Sequence, residues 1–545
     1  MQREVVKANI VVFIASFCTL VIELVAGRIM APYVGVSLYT WTSIIGVVLA
    51  GISIGAYLGG RIADRYPRSS TLGWLLFLSG LGAFSISPLT NLIGGAQFHT
   101  SLMTRILLIT TIIFFVPSCL LGMISPVVVK LTLNNLEKTG NVVGKIYAFS
   151  TLGSILGTFA TGFYLISWMG TRYILLTMGI ILIISALIFG GFFRSKKTLA
   201  LFFLFLFLFA LLPLVGLHVY ATTNPEEFSF PTSPIESIKR MVVYAFKPPL
   251  EEETYFFKES DYYTLKLKKS IKGNDGNPLE SLVLDHLVHS YTDLKDPLYI
   301  EYEYIRMYEE MVRWQAKKRK SLKALFLGGG GYTFPRFIEA KYPKAEINVV
   351  EIDPEITRVA KKYLGVSENS KIRSFNEDGR WFVMNCKEKG TYDFIFGDAF
   401  NDLSIPYHLT TKEFAVQLKN LLKPDGLLLA NVIDSFKKGA FMPSYIRTLE
   451  EVFGKGNVHL MTLISDYDKI GISTCVVVAS PKKLDMEEFV RVVKGKGGEM
   501  TSHVMPQDRL QEFLKERYSV ILTDDYVPVD NLIAPIFEER FGYRQ

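Results

Sequence analysis

Seven apolar stretches, near residues 8–27, 40–60, 71–94, 105–129, 146–168, 173–193 and 198–219, dominate the first 220 residues of this 545-residue chain. Each holds about 20 residues, enough for a helix to cross ~30 Å of hydrocarbon with its backbone polar groups satisfied internally. The first is too long and uncut for a signal peptide: it lacks a small-residue cleavage site, and further spans follow. The expectation is an α-helical membrane bundle of about seven spans over residues 1–220, in an integral protein of the cell (inner) membrane. Charge divides the chain at the same place. Residues 1–220 carry 14 Lys/Arg and 4 Asp/Glu, whereas the remaining 325 carry 45 and 48. The overall +7 therefore sits beside the apolar segments, not on a soluble domain as nucleic-acid binding would require. Four scattered cysteines, Cys18, Cys119, Cys386 and Cys475, exclude a disulfide scaffold and have no zinc-ligand spacing.

Small residues recur inside the spans: Gly51, Gly55, Gly59 and Gly60 in the second, Gly153, Gly157 and Gly162 in the fifth. They let helices approach closely. Glu23 is the one carboxylate within a span, either an ion-pair partner of Arg28 or a neighbouring helix, or a functional group. Gly60–Arg65 resembles the short charged loop of major-facilitator transporters. With the N-terminus inside, the inner loops hold 11 basic residues, including Arg61, Arg65, Arg68 and Lys130, against Arg28, Arg105 and Arg172 outside. That asymmetry places the N-terminus in the cytoplasm. Seven crossings would then leave the C-terminal half outside, so the side it occupies stays open.

Residues 221–250, rich in Pro and acidic residues, read as a linker. From 251 to 300 alternating runs broken at Lys272–Gly276 predict a small β-hairpin subdomain. A helical stretch near 298–318 leads into ALFLG (324–328), EINVVE (346–351), KIRSF (371–375), DFIFGD (393–398), GLLLANV (426–432), HLMTLI (459–464) and STCVVVAS (473–480). Strands separated by helical segments predict a doubly wound α/β domain over residues 301–545. Gly328, Gly329, Gly330 and Gly331 follow the first strand, and Glu351 follows Gly331 by 20 residues. That is the spacing at which a carboxylate meets ribose hydroxyls in dinucleotide folds. The run is neither G-x-G-x-x-G nor a P-loop, which points to a nucleoside with little need for phosphate grip. Asp378 and Asp398 end the next two strands, and Asp378 could accept from an adenine amine. Successive strand ends carrying glycines or an acid mark the expected site.

GGGGYTFPR (328–336), VVEIDPEI (349–356), NEDGRWF (376–382) and YDFIFGDAFNDLSIPYHLTTKEF (392–414) resemble the spermidine synthase family of polyamine aminopropyltransferases. KESDYY (258–263), LVLDHLVHSYTDLKDPLYIEYEY (282–304) and LTDDYVPVDNL (522–532) extend the likeness. It is closest to the membrane-fused branch with N-terminal helices. The resemblance implies a Rossmann-like class I methyltransferase fold. It also implies S-adenosylmethionine or decarboxylated S-adenosylmethionine as co-substrate, with no permanently bound cofactor and no metal. Such an enzyme transfers the three-carbon arm of the sulfonium to a small-molecule amine such as putrescine and releases methylthioadenosine. By position, Gly328, Gly329 and Gly330 would cradle the nucleoside, Glu351 would hold the ribose, Asp378 the adenine, and Asp398 would be the catalytic carboxylate. Asp285 and His289 would touch the methionine-derived arm. Tyr263, Asp296, Tyr299 and Asp402 fall at acceptor-binding positions. Asp525, in Asp524-Asp525-Tyr526, either reaches the acceptor pocket or belongs to a structural turn.

The departures from the family pattern carry meaning. Gly331 stands where the family has an Asp that grips the arm's amine, the acid of the DSSDP-like segment is shifted to Asp402, and the DExxYH-like segment at Asp296–Tyr299 lacks a spacer. Fewer carboxylates weaken the case for a long polyamine and for exclusion of intact S-adenosylmethionine. The readings in order are therefore an aminopropyltransferase, an S-adenosylmethionine lyase or cyclase without an external acceptor, and an ordinary methyltransferase. A transporter with a nucleoside- or polyamine-sensing domain is the non-enzymatic alternative. The bilayer is the one other expected partner, nucleic acid is not expected, and a homo-oligomer is left open.

Overall fold

The computed structural model describes residues 2–35, 37–94, 102–133, 139–191, 199–200, 202–203, 253–273, 276–285, 287–399, 405–495 and 500–541. The chain divides into two compact units, Met1–Glu251 and Glu252–Gln545.

The described residues of the first unit form helices and their connections, with no strand among them. Its elements are α1 (Gln2–Val34), α2 (Leu38–Arg65), α3 (Ser69–Ile93), α4 (Leu102–Gly122), α5 (Ile124–Thr132) and α6 (Thr139–Ala160), then a helix at Thr171–Phe189. A π-helical turn, Thr161–Leu165, carries α6 on to Trp168. Among the described residues six helices are long and apolar enough to cross a membrane, with α4 and α5 forming one of them. Nearly all of the seventh stretch, 198–219, and all of the linker 221–250 lie outside the described residues.

Glycines set the closest helix contacts. A Cβ on Gly55 would stand 2.1 Å from the Cys119 carbonyl oxygen, and one on Gly59 2.6 Å from Met123 backbone, so α2 and α4 meet backbone to backbone. Gly153 and Gly157 do the same for α6 against Phe13 and Phe17 of α1. Gly60 and Gly162 face open space and take no part. The expected charged loop at Gly60–Arg65 is instead the last turns of α2, where Asp64 pairs with Lys130 at 2.7 Å. Glu23 is half-buried on α1 and has no ion-pair partner among the described residues.

The second unit opens with a four-stranded antiparallel sheet, β1 (Thr254–Glu259), β2 (Thr264–Lys272), β3 (Pro278–Leu284) and β4 (Leu287–Thr292), in the order 1-2-3-4. An eight-stranded sheet follows. Its strands are β5 (Lys323–Leu327), β6 (Glu346–Val350), β7 (Arg373–Phe375), β8 (Tyr392–Gly397), β9 (Leu422–Ser435), β10 (Val458–Thr462), β11 (Ile472–Ala479) and β12 (His503–Val504). Their order is 12-10-11-9-8-5-6-7. β5 to β9 are parallel, while β11 and β10 return antiparallel. All the core strands read from the sequence are present. Phe326, Phe396 and Leu429 are buried on one face and Leu325, Ile395 and Leu428 on the other, so the parallel strands are apolar on both faces, as helix-covered strands must be.

The order reverses at β5: the chain moves outward through β6 and β7, then returns to place β8 on the other side. In open α/β sheets the ligand crevice lies at such a reversal, beyond the carboxyl ends of β5 and β8. Helix Glu303–Ala316 covers this part of the sheet. Its buried Tyr304, Tyr308, Met311 and Gln315 recur at helical spacing and turn one face inward. Tyr308 packs on Phe396 of β8 at a ring distance of 5.1 Å.

Candidate functional site

The crevice is built from chain reversals at strand ends. Gly328 has φ +98°, and a Cβ there would lie 2.4 Å from the Asp398 carbonyl oxygen, so the β5 and β8 ends can meet only with glycine at this place. Tyr332 ends the glycine turn in the left-handed region at φ 58°, a conformation unusual for a side-chain-bearing residue. It is held there by its buried ring and by hydroxyl contacts of 3.1 Å to Thr357 and to Ser374.

Three strand-end acids converge on one cavity, lined by Tyr263, His289, Gly328, Glu351, Asp378 and Asp398 among others. Glu351 accepts from the Gly329 N–H at 2.8 Å and from the Asp353 N–H at 3.0 Å. Burial pushes its carboxyl up to about 7 against the opposing pull of these hydrogen bonds. Asp378 caps helix Gly379–Asn385 by accepting from the Trp381 N–H at 2.9 Å, and its second oxygen lies 2.8 Å from His408 Nε2. Burial acts to raise the Asp378 pKa, but the Trp381 and His408 hydrogen bonds outweigh it and hold the carboxyl below its ordinary value.

Asp398, just beyond the end of β8, is half-buried and lines the cavity. Its oxygens accept from Tyr304 Oη at 2.9 Å and Asn431 Nδ2 at 2.8 Å. Burial raises its pKa, and these hydrogen bonds restrain the rise. A carboxylate so placed is a better proton acceptor than an exposed one and is fixed in direction. Sequence reasoning gives neither Tyr304 nor Asn431 a role, although Tyr304 ends one of the segments it marks (282–304) and Asn431 lies within another (426–432). Each is legible only once helix Glu303–Ala316 and β9 are known to flank β8. The ring of His408 was likewise missed, inside a motif read for its acids.

The hairpin sheet closes the cavity from the other side. Ser260, in the β1–β2 turn, donates to Asp353 at 2.5 Å, which ties that turn to the loop after Glu351. Tyr262 and Tyr263 thereby line the cavity, and His289 on β4 joins them. Asp285 does not: it has φ 54° in the β3–β4 turn and accepts from the Thr264 N–H at 3.0 Å, so it supports the hairpins. Asp296 is exposed and caps its own turn through the Leu298 N–H, and Tyr299 donates to Glu301; neither lines the cavity. Asp525 is exposed, whereas its neighbour Asp524 forms a two-point pair with Arg380. Asp402 lies outside the described residues. Gly331 lies against Ser290: a Cβ at 331 would sit 1.8 Å from the Ser290 hydroxyl oxygen, so no side chain fits there beside it.

A larger groove, about 1150 Å³ against about 190 Å³, lies at the antiparallel edge near His459 and Lys483 and holds none of these strand-end acids. Among the described residues no group of His, Cys, Asp and Glu is arranged to hold a metal ion.

Comparison with known proteins gives consistent similarities. Residues 304–485 match the spermine/spermidine synthase domain family. Polyamine aminopropyltransferase 2 of Aquifex aeolicus (strain VF5) is 27% identical over 492 residues, 88% of each chain, so this likeness runs through both units. The polyamine aminopropyltransferase of Vibrio vulnificus (strain CMCP6) is 34% identical over 148 residues, covering 27% of this chain and 48% of that protein. Among solved structures, a probable spermidine synthase from Corynebacterium glutamicum ATCC 13032 aligns over 50% of this chain and 96% of its own, with 20% identity and a TM-score of 0.43.

Proposed function

We infer, from the match of residues 304–485 to the spermine/spermidine synthase domain family and the similarity to a polyamine aminopropyltransferase through both units, an aminopropyltransferase-like, membrane-integrated enzyme that cleaves an adenosyl sulfonium on its three-carbon side. Glu351 holds the ribose hydroxyls, Asp378 the adenine amine, and the glycine turn at 328–330 lets the nucleoside lie against backbone. The arm then extends past His289 and Tyr263 toward Asp398. The observation that carries this reading is the convergence of Glu351, Asp378 and Asp398 on the crevice where the sheet order reverses.

The sulfonium carbon is already electrophilic, so the protein's task is to bring a neutral amine in line with the carbon–sulfur bond. The amine nitrogen forms the new C–N bond as the C–S bond breaks. The electron pair goes to sulfur, methylthioadenosine leaves, and the proton from nitrogen passes to Asp398. Tyr304 and Asn431 hold that carboxylate in direction. Putrescine is the acceptor that this reading predicts, and its positive charges favour an acid-lined mouth.

A second reading is favoured by one observation: Ser290 excludes any side chain at Gly331, the position whose acid the family resemblance assigns to gripping the arm's amine. An arm held less tightly can react with itself, giving a lyase or cyclase that needs no acceptor. Incubation of the detergent-purified chain with S-adenosylmethionine or its decarboxylated form, each with and without putrescine, and mass identification of products tests both. Transfer to putrescine with methylthioadenosine release supports the first. Methylthioadenosine without acceptor supports the second, and S-adenosylhomocysteine as the only nucleoside product would refute both in favour of a methyltransferase.

A further inference from the structure

The C-terminal segment LTDDY (522–526) is far in sequence from the strand ends, yet it docks beside them. Leu522 is fully buried, accepts from the Lys412 N–H at 2.8 Å and donates to Thr448 Oγ1 at 2.9 Å. Asp524 then meets the Arg380 guanidinium through two hydrogen bonds, 2.7 and 2.5 Å long. Planar two-point pairing of this kind fixes direction as well as distance. The same guanidinium donates to the His408 carbonyl oxygen at 2.9 Å. His408 in turn places Nε2 at 2.8 Å from the Asp378 oxygen that is not engaged by the helix cap. His408 and Asp378 both line the cavity.

A carboxylate oxygen has two lone-pair directions. On Asp378 the helix cap takes one oxygen, and His408 fixes the other while leaving it a second direction. We infer that His408 is a positioning residue for nucleobase recognition, aiming Asp378 at an exocyclic amine, and that Asp524 acts through Arg380 to hold His408 for that task. This rests on the nucleoside reading of the cavity given above. It assigns the C-terminal segment to the base end of the site rather than to the acceptor end, and it makes the amine at purine position 6 the feature that is read.

The test measures binding of methylthioadenosine and of methylthioinosine, in which an oxo group replaces the 6-amine, by calorimetry on the full chain in detergent. Losing a hydrogen bond to a charged group is worth roughly tenfold to a hundredfold in affinity, so the wild-type chain prefers the amine by that ratio. His408→Ala is expected to reduce the ratio to within about threefold of unity, while His408→Gln, whose amide can still donate to Asp378, restores most of it. Asp524→Asn is expected to reduce the ratio less than His408→Ala does. A merely structural role would weaken both nucleosides together and leave the ratio unchanged, and that outcome in both His408→Ala and Asp524→Asn overturns the inference. Binding of neither nucleoside by the wild-type chain overturns the nucleoside reading itself, a failure distinct from an unchanged ratio.

Discussion

Glu351 is buried, and burial lifts its carboxyl from an ordinary 4.5 to about 7. The native state therefore keeps a proton that the unfolded chain releases above 4.5. This contribution to stability is full below about 4.5 and is lost as pH rises through about 7. Melting curves from pH 4.5 to 8 should show the wild-type chain losing stability relative to Glu351→Gln across that window; parallel curves would remove the assignment. Nucleoside binding should run the other way, because ribose hydroxyls donate best to the ionised carboxylate. Affinity should rise with pH up to about 7 and then level. For Asp398, replacement by Asn keeps a similar shape but cannot take a proton. Turnover of Asp398→Asn should fall by about 10²–10⁴, with methylthioadenosine binding within a few-fold of wild type. Near-normal turnover in that variant would exclude Asp398 as the base.

Elements carry two further expectations. On α2, Gly55 faces α4 backbone while Gly60 faces open space. Gly55→Ala should therefore cost about 1–3 kcal/mol through overpacking, whereas Gly60→Ala should be neutral or slightly stabilising because alanine is the better helix former. Thermal unfolding in one detergent compares the two, and equal melting temperatures would contradict the α2–α4 contact. In the α/β unit, Asp393 at the start of β8 is almost fully buried. It accepts from Arg319, from Lys423 Nζ at 2.8 Å and from the Lys323 N–H at 2.7 Å. Asp393→Ala would leave buried Arg319 without its main partner and should destabilise by about 3–5 kcal/mol. Since β8 carries Asp398 at its other end, loss of activity in this variant should follow loss of fold and be recovered on cooling.

At the scale of the whole molecule, six helices among the described residues are long and apolar enough to cross a membrane, and the membrane reading, with basic residues at one set of their ends, predicts which loops share a side. Arg65, the last residue of α2, and Arg68, just before α3, should lie on the N-terminal side, and Gly170, beyond the extension of α6, on the other. In a chain lacking its four native cysteines, an impermeant thiol reagent applied to intact cells should label Gly170→Cys and spare Arg68→Cys. The reverse result would invert the orientation. Much of this architecture was legible in the sequence, because apolar runs of spanning length and buried parallel strands are local patterns that solvent imposes residue by residue. The strand-end acids were legible for the same reason, since a strand's end and the residue type found there are both local. What the sequence could not decide was which of the flagged side chains meet. Asp285, Asp296 and Tyr299 share motifs with cavity-lining residues, yet their turns use them for backbone support or for a neighbouring acid. Tyr304, Asn431 and His408 reach the acids across 94, 33 and 30 residues of chain. Those partnerships arise from the order in which strands lie side by side, a long-range outcome of packing that no residue spacing encodes.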